Sequence, residues 1–272
     1  MIVDAHHHFW RIGTGRFGWI DDSLPELRRD YLPEHLRHYL RAAGIDRTIL
    51  VQASETLDDN AFLLEMAAEE FVGGVVAWVD LTAPDAAARI EALAAHPVVR
   101  GIRPVLQGIA DTEWVLRADV LSALATPPAL GLRFDALVQP RHLGTILALT
   151  ERLPDLRVVI DHGAKPVIAG GTTPADDWLD GMAALAERPQ VFCKLSGLAT
   201  EQGHGWTMGG LRPVCDHLLA TFGPERLMWG SDWPVLERHG SYPQWLTAAR
   251  ALVPEAHHAQ VFGATAAAFY GL

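Results

Sequence analysis

Residues 47–81 carry the pattern that decides the fold: RTILVQA (47–53), then DDNAFLLEMAAEEF (58–71), then GGVVAWVDL (73–81). The first and third runs are apolar and rich in β-branched residues, which predicts two buried strands. The run between them has the composition and spacing of a helix. Two continuously apolar strands joined by a helix indicate parallel pairing in a sheet that is covered by helices.

The same alternation of strand and helix extends over the whole chain. Six further apolar runs predict strands: IVDAH (2–6), VRGIRPVL (99–106), LRFDALVQ (132–139), LRVVIDH (156–162), VFCKLSG (191–197) and RLMWGSD (226–232). Stretches with helical spacing lie between the strands, among them 33–44, 84–96, 141–154, 177–188 and 211–223. Eight such units predict an α/β fold, a single-domain (β/α)8 TIM barrel over residues 1–272.

An open, doubly wound sheet is the alternative architecture, but no glycine-rich phosphate-binding motif follows the first strand. The long segment 11–32, which is rich in glycine and aromatic residues, is expected to fold over the mouth of the barrel.

Bulk properties favour a cytoplasmic protein and disfavour nucleic-acid and membrane partners. The net charge of −11 disfavours binding to nucleic acid, because an acidic chain repels phosphate. No apolar run is long enough for a membrane helix, and Asp4 with the histidines interrupts any signal-peptide core. Cys193 and Cys215 lack the spacing of a disulfide framework, so we expect reduced thiols.

Ionisable residues stand at the ends of most predicted strands, where the active sites of such barrels collect. They are His6, His7, His8, Arg103, Asp135, Asp161, His162, Lys194 and Asp232. Core filling does not explain this pattern, because an unpaired buried charge is costly.

The three consecutive histidines provide one pair of side chains on the same face. Residues two apart on a strand point the same way, so His6 and His8 project together and His7 points to the other side. By the same alternation Asp4 shares the direction of His6, and we expect it to anchor the barrel floor. Two adjacent imidazoles suit a divalent metal or the polarisation of a carbonyl group. A single histidine at a strand end is more often structural; the combination with Asp232 and His162 is what indicates a site.

At these residues the chain resembles the amidohydrolase superfamily, and within it the branch of sugar lactonases such as L-fuconolactonase and L-rhamnonolactonase. The motifs that carry the resemblance are DAHHHFW (4–10), LVQA (50–53), GIR (101–103), DHGAKP (161–166), KLSGL (194–198) and GSDWPV (230–235). The sequence departs from the family at Pro104, where the branch often has histidine, and it lacks the bridging lysine of the fourth strand and a histidine on the fifth. The resemblance therefore implies at most one metal ion, and the branch includes both zinc-binding and metal-free hydrolases.

The resemblance implies a hydrolase that opens a sugar lactone by attack of water on the ring carbonyl. Asp232 is the candidate general base. His6, His8 and His162 are candidate ligands, with Asp232, of one Zn²⁺ or another divalent ion, or else polarise the carbonyl without a metal. The candidate substrate-binding residues are Arg103, Asp135, Lys194 and Glu201 for hydroxyl groups and Trp10 and Trp233 for an aromatic wall.

Three alternatives remain open at the level of sequence. A decarboxylase acting on a muconate or an aromatic acid could use a similar one-metal site, with Arg103 and Arg16 binding carboxylates. A lactone isomerase could use the same base without water. A binding protein that kept the pocket is the third.

Overall fold

The computed structural model describes residues 1–272 and contains one sheet of eight parallel strands in the order β1 to β8. The strands are β1 (Val3–His7), β2 (Arg47–Val51), β3 (Val72–Ala77), β4 (Val99–Ile102), β5 (Arg133–Ala136), β6 (Val158–Ile160), β7 (Val191–Leu195) and β8 (Leu227–Trp229). The predicted (β/α)8 barrel is confirmed. Several strands end earlier than predicted; β4 ends at Ile102, just before Pro104, which has no N–H group to donate to the sheet.

Helices cover the outside of the sheet. They are α1 (Pro33–Ala43), α2 (Leu57–Met66), α3 (Ala86–Ala94), α4 (Ala118–Leu124), α5 (Leu143–Arg152), α6 (Asp176–Ala186), α7 (Leu198–Gln202), α8 (Met208–Phe222), α9 (Tyr242–Leu252) and α10 (Thr265–Tyr270). No helix combines the length and the apolar character needed to cross a membrane.

The core has two parts, one between the sheet and the helices and one inside the barrel. The inner part contains alternate residues of the strands, including Val51, Val76 and Val159, and is closed from below by Phe269 and Tyr270 of α10. The lower half of the barrel is therefore filled with side chains, and only the upper end can hold a site.

The barrel closes through the residues that follow β8 rather than through a regular ladder between β8 and β1. The N–H of Asp232 donates to the carbonyl of His6 at 2.8 Å, and the N–H of His8 donates to the carbonyl of Trp233 at 2.7 Å. The backbone hydrogen bonds of this seam bring Asp232 beside the two histidines.

The expected direction of Asp4 is wrong, because β1 contains a bulge. Asp4 pairs with Thr48 and His7 pairs with Leu50, so β1 has one more residue than β2 over this interval. The bulge allows both Ala5 and His6 to face the barrel interior. Asp4 faces outwards, where its carboxylate accepts hydrogen bonds from the hydroxyl of Tyr242 on α9 at 3.0 Å and from the N–H of Ser231 at 2.8 Å.

Candidate active site

A cavity of about 640 Å³ opens at the C-terminal ends of the strands. His8, Arg103, His162 and Asp232 line its base. The segment 11–32 contributes four residues to the lining, namely Arg16, Gly18, Trp19 and Leu24. The cavity is thus enclosed partly by strand ends and partly by the segment that follows β1.

Four of the residues singled out in the sequence converge at this base. The Nε2 atoms of His6 and His8 are 3.2 Å apart. Oδ1 of Asp232 lies 3.5 Å from Nε2 of His8, and 3.8 Å from Nε2 of both His6 and His162. His7 faces away, as the alternation predicts, and its Nε2 meets Oγ1 of Thr48 at 2.8 Å.

The hydrogen bonds fix the tautomer of His8, whereas His6 has partners that suit either tautomer. Nδ1 of His8 lies 2.8 Å from the carbonyl of Val51, which only accepts, so the proton of His8 is on Nδ1 and its Nε2 lone pair faces the cluster. Nδ1 of His6 lies 3.1 Å from the ammonium of Lys194, which only donates. A neutral His6 that accepts there carries its proton on Nε2, where it can donate to Nε2 of His8. In the other tautomer His6 donates from Nδ1 to Oδ1 of Asp161, and its Nε2 accepts from Arg103 at 3.4 Å.

Burial keeps His6 and His162 neutral. It lowers the pKa of His162 to about 4, and it lowers the pKa of His6 well below its ordinary value, with Lys194 adding to the effect. Burial alone would raise the pKa of Asp232, but His162 and the other histidines outweigh it and hold that pKa below its ordinary value. At neutral pH the site therefore combines the ionised carboxylate of Asp232 with the uncharged imidazoles of His6 and His162.

The backbone at two of the site residues is in the left-handed region. The φ angle is 54° at His162 and 58° at Asp232, a conformation that costs about 1–2 kcal/mol for a residue other than glycine. Such conformations cluster at functional sites, where the surrounding structure enforces them. The two residues that face each other across the base of the cavity both carry this cost.

Asp135 and Lys194 do not line the cavity, contrary to their expected contact with substrate. Both side chains are fully buried beneath His6, where Nζ of Lys194 lies 2.5 Å from Oδ2 of Asp135 and 3.0 Å from Oδ1 of Asp161. Arg103 reaches Oδ2 of the same Asp161 at 3.1 Å, while it also lines the cavity. Asp161 lies two residues after the inward-facing Val159, so the alternation of β6 could have identified it as an inward-facing group.

The expected aromatic wall is also in a different place. Trp10 and Trp233 are buried below the cavity lining, and their indole N–H groups donate to the carbonyl of Arg29 and to Glu237. Trp19, which the sequence did not single out, lines the cavity and is 42% exposed. Its indole N–H donates to the carbonyl of Ala53 at 2.8 Å, which fixes the ring at the wall.

The remaining lining is strongly polar. Glu201 lies in the lining as part of a pair with Lys165, whose Nζ is 3.5 Å from Oε1, and burial raises the pKa of Glu201. Lys165 was not among the candidate site residues, yet its side chain reaches the cavity. Further polar residues of the lining were also missed, among them Glu55, Gln107, Arg238 and Gln52, which directly follows β2. Glu55 lies in a loop and Gln107 and Arg238 lie in short 3-10 helices, where residue type alone gives no direction.

The donor atoms fit one divalent metal ion. One nitrogen each from His6 and His8 and one oxygen from Asp232 lie within 4.8 Å of one another, and nitrogen with carboxylate oxygen is a common zinc donor set. His6 would bind through Nε2 after its proton moved to Nδ1, where Oδ1 of Asp161 lies 3.4 Å away as an acceptor.

Comparison with known proteins supports the resemblance seen in the motifs. The profile of the family described as amidohydrolase matches residues 3–272. The L-fucono-1,5-lactonase of Burkholderia ambifaria is 44% identical, with 98% of this chain and 94% of that protein aligned. The L-fucono-1,5-lactonase of Burkholderia multivorans is 36% identical, with 100% and 96% aligned. A crystal structure of an amidohydrolase from Burkholderia multivorans with bound zinc superposes with a TM-score of 0.92 at 36% identity, covering 100% of this chain and 99% of that one.

Proposed function

This chain belongs to the amidohydrolase family, and from that membership we propose that it hydrolyses a sugar lactone, converting the cyclic ester to the open hydroxy acid. Two relatives aligned over almost their full length are lactonases, which supports hydrolysis over decarboxylation or isomerisation. The observation that carries the proposal is the convergence of Asp232 with His6, His8 and His162 at the base of a polar cavity.

Asp232 acts as the general base in this mechanism. Its carboxylate is ionised and can take a proton from a water molecule as the water oxygen bonds to the lactone carbonyl. When the tetrahedral intermediate collapses, the ring C–O bond breaks, and the proton held by Asp232 passes to the leaving ring oxygen. Water is thereby added across the ester bond, and the carboxylate is regenerated.

The imidazoles stabilise the oxygen that becomes negative. His6 and His162 are neutral and each lies 3.8 Å from Asp232, and an N–H group of His162, which lines the cavity, can donate to the developing oxyanion. We further propose that His6, His8 and Asp232 hold one zinc ion, as the zinc-bound structure of the relative suggests. A divalent ion at this place would polarise the carbonyl and make the attacking water more acidic.

The cavity wall binds the hydroxyl groups and one face of the sugar ring. Arg103 and Glu201 offer charged donors and acceptors for hydroxyl groups, and Trp19 offers an apolar face for the carbon skeleton. Of the residues expected to bind substrate, Arg103 and Glu201 keep that role in the proposal. Asp135 and Lys194 support His6 instead, and Trp10 and Trp233 support the segment around the mouth.

A panel of aldonolactones tests the proposal, with L-fucono-1,5-lactone as its first member because the relatives are named for it. A pH indicator should report acid release that depends on Asp232, and the assay should be repeated after chelation with metal content measured. Incorporation of one ¹⁸O from labelled water would separate hydrolysis from isomerisation, and a CO2 assay would detect a decarboxylase. Absence of acid release from every lactone would contradict the proposal. We also propose that the protein functions in the cytoplasm, where its two buried free thiols, Cys193 and Cys215, would stay reduced.

A further inference from the structure

Tyr270, in the last helix of the chain, reaches the active-site charges from the opposite end of the barrel. Its side chain is buried, and its hydroxyl donates to Oδ2 of Asp135 at 2.7 Å. Its ring also lies 5.5 Å from Nζ of Lys194, within the range of a cation–π contact. Nothing in the mechanism above uses this residue.

Asp135 depends on Tyr270 and Lys194 for its hydrogen bonds. Both donors meet on Oδ2, and no donor of the protein reaches the buried Oδ1. Burial raises the pKa of Tyr270 well above its ordinary value, so the hydroxyl keeps its proton and remains a donor. Removal of that hydroxyl would leave the carboxylate with Lys194 as its single partner, which would draw the ammonium toward Asp135.

The position of Lys194 matters because its ammonium also meets His6. Nζ lies 3.1 Å from Nδ1 of His6, while Oδ1 of Asp161 lies 3.4 Å from the same nitrogen. The donor Lys194 and the acceptor Asp161 therefore compete for one ring nitrogen and favour opposite tautomers of His6.

We propose that Tyr270 is a positioning residue for the active site: through Asp135 it places Lys194 against Nδ1 of His6 and so sets the orientation of that ring. The role in turnover rests on the lactonase function proposed above, whereas the effect on His6 does not. The C-terminal helix thereby does more than close the barrel floor, because it carries the last link of a hydrogen-bond chain that ends at the reacting groups.

The test substitutes Tyr270→Phe, which removes only the hydroxyl. We expect kcat to fall by about tenfold, with KM changed by less than about twofold, because a hydrogen bond to a charged group is lost away from the substrate-binding wall. Two-bond ¹H–¹⁵N NMR of the histidine rings in the chelated, metal-free protein, with the His6 signals assigned by their loss in His6→Asn, should show that the His6 signals are displaced from their wild-type positions.

Thr265→Val is the matched control in the same helix. It removes the hydrogen bond from Oγ1 to the carbonyl of Pro224 at 2.8 Å, which loosens α10 without touching the chain of contacts to His6. We expect wild-type kcat and wild-type His6 signals in this variant. If Thr265→Val reproduces the effects of Tyr270→Phe, or if Tyr270→Phe leaves the His6 signals unchanged, the proposal is wrong.

Asp135→Asn provides a second test if Tyr270→Phe does not fold, since it interrupts the same chain one step nearer to His6 and should move the His6 signals in the same way. Unchanged His6 signals in that variant would also overturn the proposal. If the wild-type protein hydrolyses no lactone, the proposed function fails, but the NMR comparison still decides whether Tyr270 controls His6.

Discussion

Asp232 owes its position to the backbone as much as to its own side chain. Its N–H is bonded to the carbonyl of His6, and its φ angle of 58° is held in place by that seam. The side chain can therefore be changed without altering the path of the chain, so the effect of a substitution reports on chemistry rather than on folding.

Asp232→Asn should lower kcat by about two orders of magnitude or more, while in chelated samples its melting temperature stays close to that of the wild type. Asparagine keeps the shape but cannot accept the proton of the attacking water at neutral pH. Steady-state kinetics on the best lactone and thermal unfolding followed by circular dichroism measure the two quantities. An Asp155→Asn variant, altered at an exposed carboxylate, serves as the control and should be fully active. Full activity of Asp232→Asn would exclude it as the base.

Trp19→Ala should raise KM by about tenfold and change kcat little. The indole lines the cavity, away from the reacting carboxylate, so its loss removes apolar contact with the sugar ring in the ground state and the transition state alike. Trp19→Phe should restore most of the affinity. An unchanged KM in Trp19→Ala would show that the ring does not contact the substrate.

The sequence predicts which side chains reach the site only where a strand fixes the direction of the side chain. His6, His8, His162 and Asp232 lie in or next to strands, and alternation or the closure of the barrel brings them together. No such rule applies to the tryptophans. Trp10 and Trp19 lie nine positions apart in the sequence, and the path of the segment 11–32 decides which of them reaches the cavity.

At the scale of elements, the close approach of β1 to the chain after β8 requires glycine at position 230. A Cβ at Gly230 would lie 2.7 Å from Cβ of His6 and 3.0 Å from its backbone nitrogen. The strand that carries the two histidines could not then keep its distance from the strand that leads to Asp232.

Gly230→Ala should lower the free energy of unfolding by about 1–3 kcal/mol, as overpacking does elsewhere, and should reduce kcat as well because it displaces His6. Urea unfolding and kinetics measure both. Gly144→Ala is the control: this exposed glycine of α5 has no atom near its Cβ position, and alanine there should stabilise the helix by up to about 1 kcal/mol. A Gly230→Ala variant as stable and active as the wild type would contradict the tight seam.

The bulge in β1 is a feature that strand periodicity does not predict. The pattern located all eight strands, but it placed Asp4 inside the barrel because it assumed an unbroken alternation up to His6. A bulge leaves no signature in residue types, and here it depends on pairing with β2, which lies more than 40 positions away. The same long-range pairing determines where each strand ends.

The carboxyl group of Asp4 is buried on the outer side of the barrel, and its burial makes the stability of the fold depend on pH. Burial raises its pKa from 3.8 to about 6, although hydrogen bonds from Ser231 and Tyr242 oppose the shift. Between these two pH values the folded state binds more protons at Asp4 than the unfolded state does, so this group destabilises the fold as the pH rises.

Asp4→Asn should therefore gain stability relative to the wild type as the pH rises from about 4 to 6, by about 3 kcal/mol in total, and the difference should stay constant above pH 6. Urea unfolding of both proteins at intervals of half a pH unit measures the difference. Asp155→Asn again serves as the control and should show no such rise. A flat difference would show that the pKa of Asp4 is the same in the folded and unfolded states, and a difference that falls with pH would show that folding lowers it; either result would contradict the prediction.

At the scale of the whole molecule, the active site is also the place where the barrel is least regular. Neighbouring strands from β1 to β8 are joined by parallel ladders, whereas β8 and β1 are joined through the short contact of residues 230–233 with 6–8. The candidate metal ligands lie on both sides of this seam: His6 and His8 on β1 and just after it, Asp232 after β8. A metal ion bound there would fasten the first part of the chain to the last.

Zinc should therefore stabilise the entire fold and not only assist the reaction. At a free concentration of about 100 times its Kd, a ligand that binds only the folded state adds about 2.7 kcal/mol, which corresponds to a rise in Tm of about 5–10 °C in a chain of this size. Differential scanning calorimetry of chelated protein, with and without added ZnCl2, measures the shift, and MgCl2 should produce less because the site is rich in nitrogen. His8→Asn should abolish the shift, whereas His142→Asn, at a buried histidine far from the seam, should keep it. A Tm that does not respond to zinc would assign the reaction to the metal-free arrangement, in which His6 donates from Nε2 to His8 and Asp232 activates water without assistance from a cation.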